Sequence, residues 1–117
     1  MHTPDDLKRG YQEFRAGAYR DQAALYRKLG QGQDPDIMII ACADSRAEPA
    51  EIFHAAPGQL FVVRNVANLV PPYDTSGGLH GVSAALEYAV TVLKVKHIVV
   101  MGHGGCGGIA ASLAACD

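Results

Sequence analysis

Ile37-Met38-Ile39-Ile40-Ala41-Cys42-Ala43-Asp44-Ser45-Arg46 is an apolar run that ends in a thiol, a carboxylate and a guanidinium. An unbroken β-branched and apolar run of this length reads as a strand buried on both faces, the pattern of a parallel sheet. A chemically capable cluster at the C-terminal end of such a strand lies where open α/β folds place their ligand crevice. Downstream, His97-Ile98-Val99-Val100-Met101 reads as a second buried strand and breaks into Gly102-His103-Gly104-Gly105-Cys106-Gly107-Gly108. Between them Leu60-Phe61-Val62-Val63 reads as a third, followed by Arg64-Asn65-Val66-Ala67-Asn68.

Helical patterns separate these runs. Thr3 with Pro4 and Asp6 forms a capping signal, and Leu7, Tyr11 and Phe14 then share one helical face. A second helix is predicted over 19–29, stopping at Gly30, with a short one over 48–53. Val70 to Gly78 must be loop because of its Pro-Pro and Gly-Gly pairs. Leu79, Val82, Leu86, Val90 and Leu93 have helical spacing, and a last helix is expected from Ile109 to Ala115. Alternating strands and helices imply an α/β fold with a parallel sheet core of order 2-1-3, flanked by helices and preceded by a helical arm over 1–30. That order makes the first and third strands neighbours, so Cys42 and His103 can meet at the switch point.

The length of 117 residues suits one domain. An apolar fraction of 49%, a charged fraction of 19% and a formal charge of -2 are those of a folded protein and argue against nucleic acid or an anionic membrane surface as partner. The N-terminus is acidic and polar rather than basic and then apolar, and no apolar run approaches the ~18 residues of a membrane span, so a cytoplasmic location is expected. Three cysteines in such a chain point to thiols or metal ligands before disulfides.

Cys42, His103 and Cys106 supply two thiolates and an imidazole, a donor set that suits tetrahedral zinc. Asp44 is a possible fourth ligand. Free, it closes the metal; held by Arg46, it leaves that position to water. Either half of the set is weak by itself, since a buried cysteine after a strand is usually a small hydrophobe and an Asp/Arg pair an ordinary salt bridge. Gly102-x-Gly104-x-x-Gly107 also fits a dinucleotide fingerprint, but His103 and Cys106 fill its variable positions and no acidic ribose partner follows. His2, His54, His80 and His97 read as surface or capping residues, Cys116 as a buried apolar one, Phe61 and Tyr88 as core aromatics, and Arg64 as either structural or substrate-facing.

The three motifs at 42–46, 64–68 and 102–108, in that order, resemble the β-class carbonic anhydrases. The resemblance runs from about the second helix to the end of the chain. It implies zinc held by Cys42, His103 and Cys106, with an Asp44/Arg46 dyad beside it. Gln33, Phe61 and Tyr88 are similar to the pocket residues of the plant-like members, in which Asp44 pairs with Arg46 and the zinc stays open. The activity implied is reversible hydration of CO2 to bicarbonate and a proton by a zinc-bound hydroxide. Zinc lowers the pKa of bound water to near 7, an effect for which carbonic anhydrase, with a three-histidine site, is the standard example. In this reading Asp44 aims the nucleophile, Gln33 donates to a substrate oxygen, Phe61, Val66 and Tyr88 form an apolar wall, and Gly107 allows close approach. The resemblance further implies a homodimer or higher homo-oligomer with pockets at the subunit interface, embraced by the N-terminal helices. Family members continue past this point with another strand and several helices, so the chain is expected to be truncated after the His-x-x-Cys motif. The competing expectations are a non-catalytic zinc-stabilised fragment or interaction module, and a zinc hydrolase of a CO2 analogue such as carbon disulfide.

Overall fold

The computed structural model describes residues 1–114, so Cys116 and the end of the expected last helix lie outside the described residues. The chain forms two compact units, residues 1–33 and residues 34 onward.

The first unit is three helices, α1 (Pro4–Ala16), α2 (Ala18–Asp21) and α3 (Ala23–Leu29). The capping signal at Thr3 operates through the Asp6 carboxylate, which accepts the Thr3 N–H at 2.9 Å and the His2 N–H at 2.7 Å. Where one helix was predicted over 19–29, the chain makes two, interrupted at Gln22. Phe14, Tyr19 and Tyr26 hold the unit together, with ring centroids 5.0 to 5.7 Å apart. None of its residues is buried.

The second unit is built on a three-stranded parallel sheet of order β2-β1-β3, the order expected. Its strands are β1 (Ile37–Cys42), β2 (Leu60–Asn65) and β3 (His97–Met101). Short α4 (Pro49–Ile52) links β1 to β2, and α5 (Gly81–Glu87) links β2 to β3. α5 passes into a wider π-helical turn, Tyr88–Leu93, where the Thr91 hydroxyl donates to the Glu87 carbonyl at 2.6 Å. Lys94 then ends the helix in the left-handed region, φ 55°. α6 (Gly107–Ala114) begins two residues before the predicted start.

β1 is the buried strand, because both of its edges are paired and its two faces alternate. Met38 and Ile40 point to one face, fully buried with Ala89 under Phe61, Val63, Val82, Ala85, Leu86 and Val95. β3 departs from expectation. Its apolar run reads as buried, yet Ile98, Val99 and Val100 are 40 to 53% exposed. β2 is equally an outer strand, but its Phe61 and Val63 pack against the core cluster, whereas no β3 side chain joins that cluster among the described residues.

This asymmetry is measurable. Ile40→Ala leaves a cavity in the centre of the sheet and is expected to cost about 2–5 kcal/mol in urea unfolding. Val100→Ala, half-exposed on β3, is expected to cost about 1 kcal/mol or less.

Candidate metal centre

The parallel register brings the three strand ends level: Cys42 pairs with Asn65, and Ala41 with Met101. The chain turns out of the sheet at each of these points, so residues 43–48, 66–69 and 102–106 emerge together. This end of the sheet carries the chemistry.

Cys42 and Cys106, 64 residues apart, place their sulfurs 3.9 Å from one another. With His103 they form a group whose donor atoms all lie within 4.8 Å. Two thiolates about 2.3 Å from a tetrahedral zinc would stand roughly 3.8 Å apart. His103 Nδ1 is 3.0 Å from the Gly104 carbonyl, which can only accept, so the proton sits on Nδ1 and Nε2 presents a lone pair. That Nε2 is buried and has no hydrogen-bond partner. A buried nitrogen left unpaired is costly unless something else takes its lone pair. Spacing, donor types and the orphaned Nε2 thus fit a bound divalent metal. In the absence of a metal, a proton on Nε2 takes the metal's place beside the sulfur and, with the Asp44 and Ala67 backbone, draws the Cys42 thiol down to about 6, so the site favours a thiolate at neutral pH.

Asp44 does not join the donor group. Arg46 grips it with Nε on Oδ1 at 3.0 Å and Nη2 on Oδ2 at 2.7 Å, and the Arg46 backbone N–H adds a third bond at 2.8 Å. These bonds hold the Asp44 carboxyl well below the usual carboxylate range. Oδ2 lies 3.8 Å from His103 Nε2, beside the donor group rather than within it. Arg46 Nη2 also donates to the Gly105 carbonyl at 3.2 Å, tying the dyad to the His103–Cys106 loop.

Arg64, undecided from spacing, faces backbone. Its Nε donates to the Cys42 carbonyl at 2.8 Å, and Nη2 donates to those of Asp44 and Ala47 at 2.7 and 3.3 Å. Nη1 pairs with Glu48. One guanidinium therefore satisfies three carbonyls of the loop that carries Cys42, Asp44 and Arg46, which a rigid fork of five donors is suited to do. Asn65 acts similarly on the next loop, with its side chain donating to the Leu69 carbonyl at 2.8 Å and accepting the Leu69 N–H at 2.6 Å. Position after a strand was the available signal for both; their targets are carbonyls of turns that sequence periodicity does not describe.

The remaining predicted residues separate. Val66 is exposed in the loop after β2, and a Cβ at Gly107 would meet nothing within 4 Å. Phe61 pairs in register with Met38, four positions before Asn65 and so roughly 13 Å along the strand from the Cys42 end. It packs against Tyr88, with ring centroids 5.8 Å apart. Gln33 closes the first unit, whereas the donor group belongs to the second. The histidines set aside as surface or capping residues include His80, which stands before α5 with Nε2 3.3 Å from an Asp74 carboxylate oxygen.

Known proteins resemble this chain in sequence and fold. A family model described as carbonic anhydrase matches residues 37–117. Beta carbonic anhydrase 3 of Arabidopsis thaliana is 44% identical over 109 residues, 93% of this chain and 42% of that protein. The solved β-carbonic anhydrase CcaA superimposes with a TM-score of 0.88 at 39% identity, covering 94% of this chain and 52% of that one. One of two tetrameric β-carbonic anhydrases from Sordaria macrospora matches at 0.68 and 40% identity, over 93% of this chain and 50% of its own. The chain thus spans about half the length of the relatives it matches. A family match across the whole second unit, on a sheet of the expected order with the three donors at its strand ends, establishes that the chain belongs to the β-class carbonic anhydrases.

Proposed function

We propose that the chain carries the zinc centre of an enzyme that interconverts CO2 and bicarbonate. The observation that carries this reading is the three-donor group Cys42, His103 and Cys106 with Asp44 held aside by Arg46. Three protein donors and one position left for water or substrate is the arrangement of catalytic rather than structural zinc. Two thiolates and an imidazole favour zinc over the harder magnesium or calcium. Relatives named as carbonic anhydrases favour CO2 over carbon disulfide and a catalytic over a purely structural role.

Bound there, zinc supplies a water acidified into the neutral range and an electrophilic hold on a substrate oxygen. The protein's own part is orientation. Asp44, ionised under three Arg46 donors, can only accept, so its Oδ2 fixes the hydrogen of an attacking oxygen and aims the lone pair. Arg46 keeps that carboxylate off the metal and, through Gly105, in step with the loop of two ligands. Arg64 holds the Cys42–Ala47 backbone on which both depend. Val66 offers apolar surface suited to an uncharged linear substrate, and Gly107 leaves room beside Cys106.

The place of Phe61 on β2, roughly 13 Å from the Cys42 end, and its contact with Tyr88 favour the pocket of a second copy over that of their own chain. We assign Gln33 to the same role. A homo-oligomer is supported by the first unit, whose aromatic cluster leaves no residue buried, and by the tetrameric relative.

Metal analysis with stopped-flow CO2 hydration on the same sample is the first test. Cys42→Ser is expected to lower zinc occupancy and to cost ~100-fold or more in activity; full zinc and activity in that variant refute the reading. Arg64→Lys, a point charge in place of a fork, is expected to lower kcat about 10–100-fold with zinc retained. Phe61→Ala and Cys42→Ser chains, each inactive alone, are expected to recover part of the activity when refolded together, because one pocket of a mixed oligomer is then complete. No recovery would refute the sharing of Phe61 between chains.

A further inference from the structure

The loop after β2 has an unusual backbone. Ala67 and Asn68 both occupy the left-handed region, φ 73° and 45°, where a side chain is disfavoured. Ala67 is nevertheless buried, 4% exposed. The Asn65 side chain closes the turn by bonding both backbone groups of Leu69. The result is that the Ala67 N–H points at the Cys42 sulfur, 3.4 Å away.

What allows the turn to sit so close is found on α6. A Cβ placed on Gly108 would stand 2.6 Å from Val66 Cγ1, 2.9 Å from Ala67 Cβ and 3.1 Å from Ala67 N. Real Cβ atoms essentially never come as close as the two carbon contacts, and the approach to Ala67 N is tighter than most, so a side chain at Gly108 would have to displace the turn. Gly108 follows Cys106 by two residues, in the first turn of α6. The turn that contacts one ligand sulfur is therefore clamped by the helix that begins directly after the other, Cys106. Gly81, at the start of α5, has no such neighbour, as a Cβ there meets nothing within 4 Å.

We propose that Gly108 is a positioning residue of the metal centre: bare of a side chain, it lets the Val66–Ala67 turn close on Cys42 and hold the Ala67 N–H against its sulfur. An N–H aimed at a ligating sulfur orients it and tunes its hold on the metal, as partners behind a ligand generally do. The left-handed Ala67 is kept in place by packing from α6 and by the Asn65 bridge, rather than by its own preference.

The test is cobalt(II) uptake by the metal-free chain in competition with a chelator, read by the thiolate-to-cobalt absorption bands. Gly108→Ala is expected to bind about 10–100-fold more weakly and to shift those bands. Gly81→Ala is expected to match the unsubstituted chain in both. Adding Val66→Ala and Ala67→Gly to Gly108→Ala, which removes the two facing side-chain contacts, is expected to return most of the affinity. Should Gly108→Ala not fold, a folded, cobalt-binding triple variant supports the proposal and an unfolded one overturns it. Unchanged affinity and bands in Gly108→Ala overturn it, even with a lower Tm, because packing alone would then be the residue's role. Equal losses in Gly81→Ala overturn it as well. The inference rests on the metal-centre reading, and the two fail differently: an unsubstituted chain that takes up no cobalt overturns both, whereas a cobalt-loaded chain indifferent to Gly108→Ala overturns this one alone.

Discussion

Pairing of β1 on both edges is the constraint on which the second unit depends. It removes Met38, Ile40 and Ala41 from water completely and aligns three strand ends at one edge of the sheet. Because side chains alternate with a period of two, a slip of one residue would exchange Met38 and Ile40 for Ile39 and Ala41 on the helix-covered face. It would also displace Cys42 from Asn65 and from the loop of His103. Core packing and site geometry are therefore set by the same register.

Where the chain leaves the sheet, its ladder hydrogen bonds end and polar backbone must find other partners. Arg64 and Asn65 at the end of β2, and Arg46 in the loop after β1, supply them by reaching to backbone at the neighbouring strand end or loop. Long polar side chains thus stand in for the missing strand pairing and make the three loops one rigid cradle. The unpaired Nε2 of His103 is the gap in that cradle, facing two sulfurs. A metal there would close the network and contribute to folding as well as to chemistry.

The two units differ in what stabilises them. The second buries a core; the first has three aromatic rings in contact and no buried residue. Its helices rest on capping by Asp6 and on local side-chain contacts, which are weak for short helices in water. Further apolar burial against another surface is what such a unit needs for stability, in agreement with the oligomer proposed above.

Much was legible in the residues themselves. Apolar runs marked β1, β2 and β3, helical spacing marked α1 and α5, and the types of Cys42, His103 and Cys106 named a donor set. Reading failed where context overrides composition. The Val-rich run of β3 is exposed because, among the described residues, nothing packs it into the core cluster that takes in Phe61 and Val63 of β2, and the helix over 19–29 breaks at Gln22. Arg64 could not be assigned because its acceptors are carbonyls, which every residue has and no sequence pattern reveals. The steric dependence of Ala67 on Gly108 joins residues 41 positions apart. Local sequence determined which segments pair or coil and which donor atoms exist, since those follow from short-range sterics and side-chain chemistry. Only the tertiary structure decided that two sulfurs 64 residues apart stand at 3.9 Å and that Asp44 turns to Arg46, since such distances depend on strand register and on packing between distant elements.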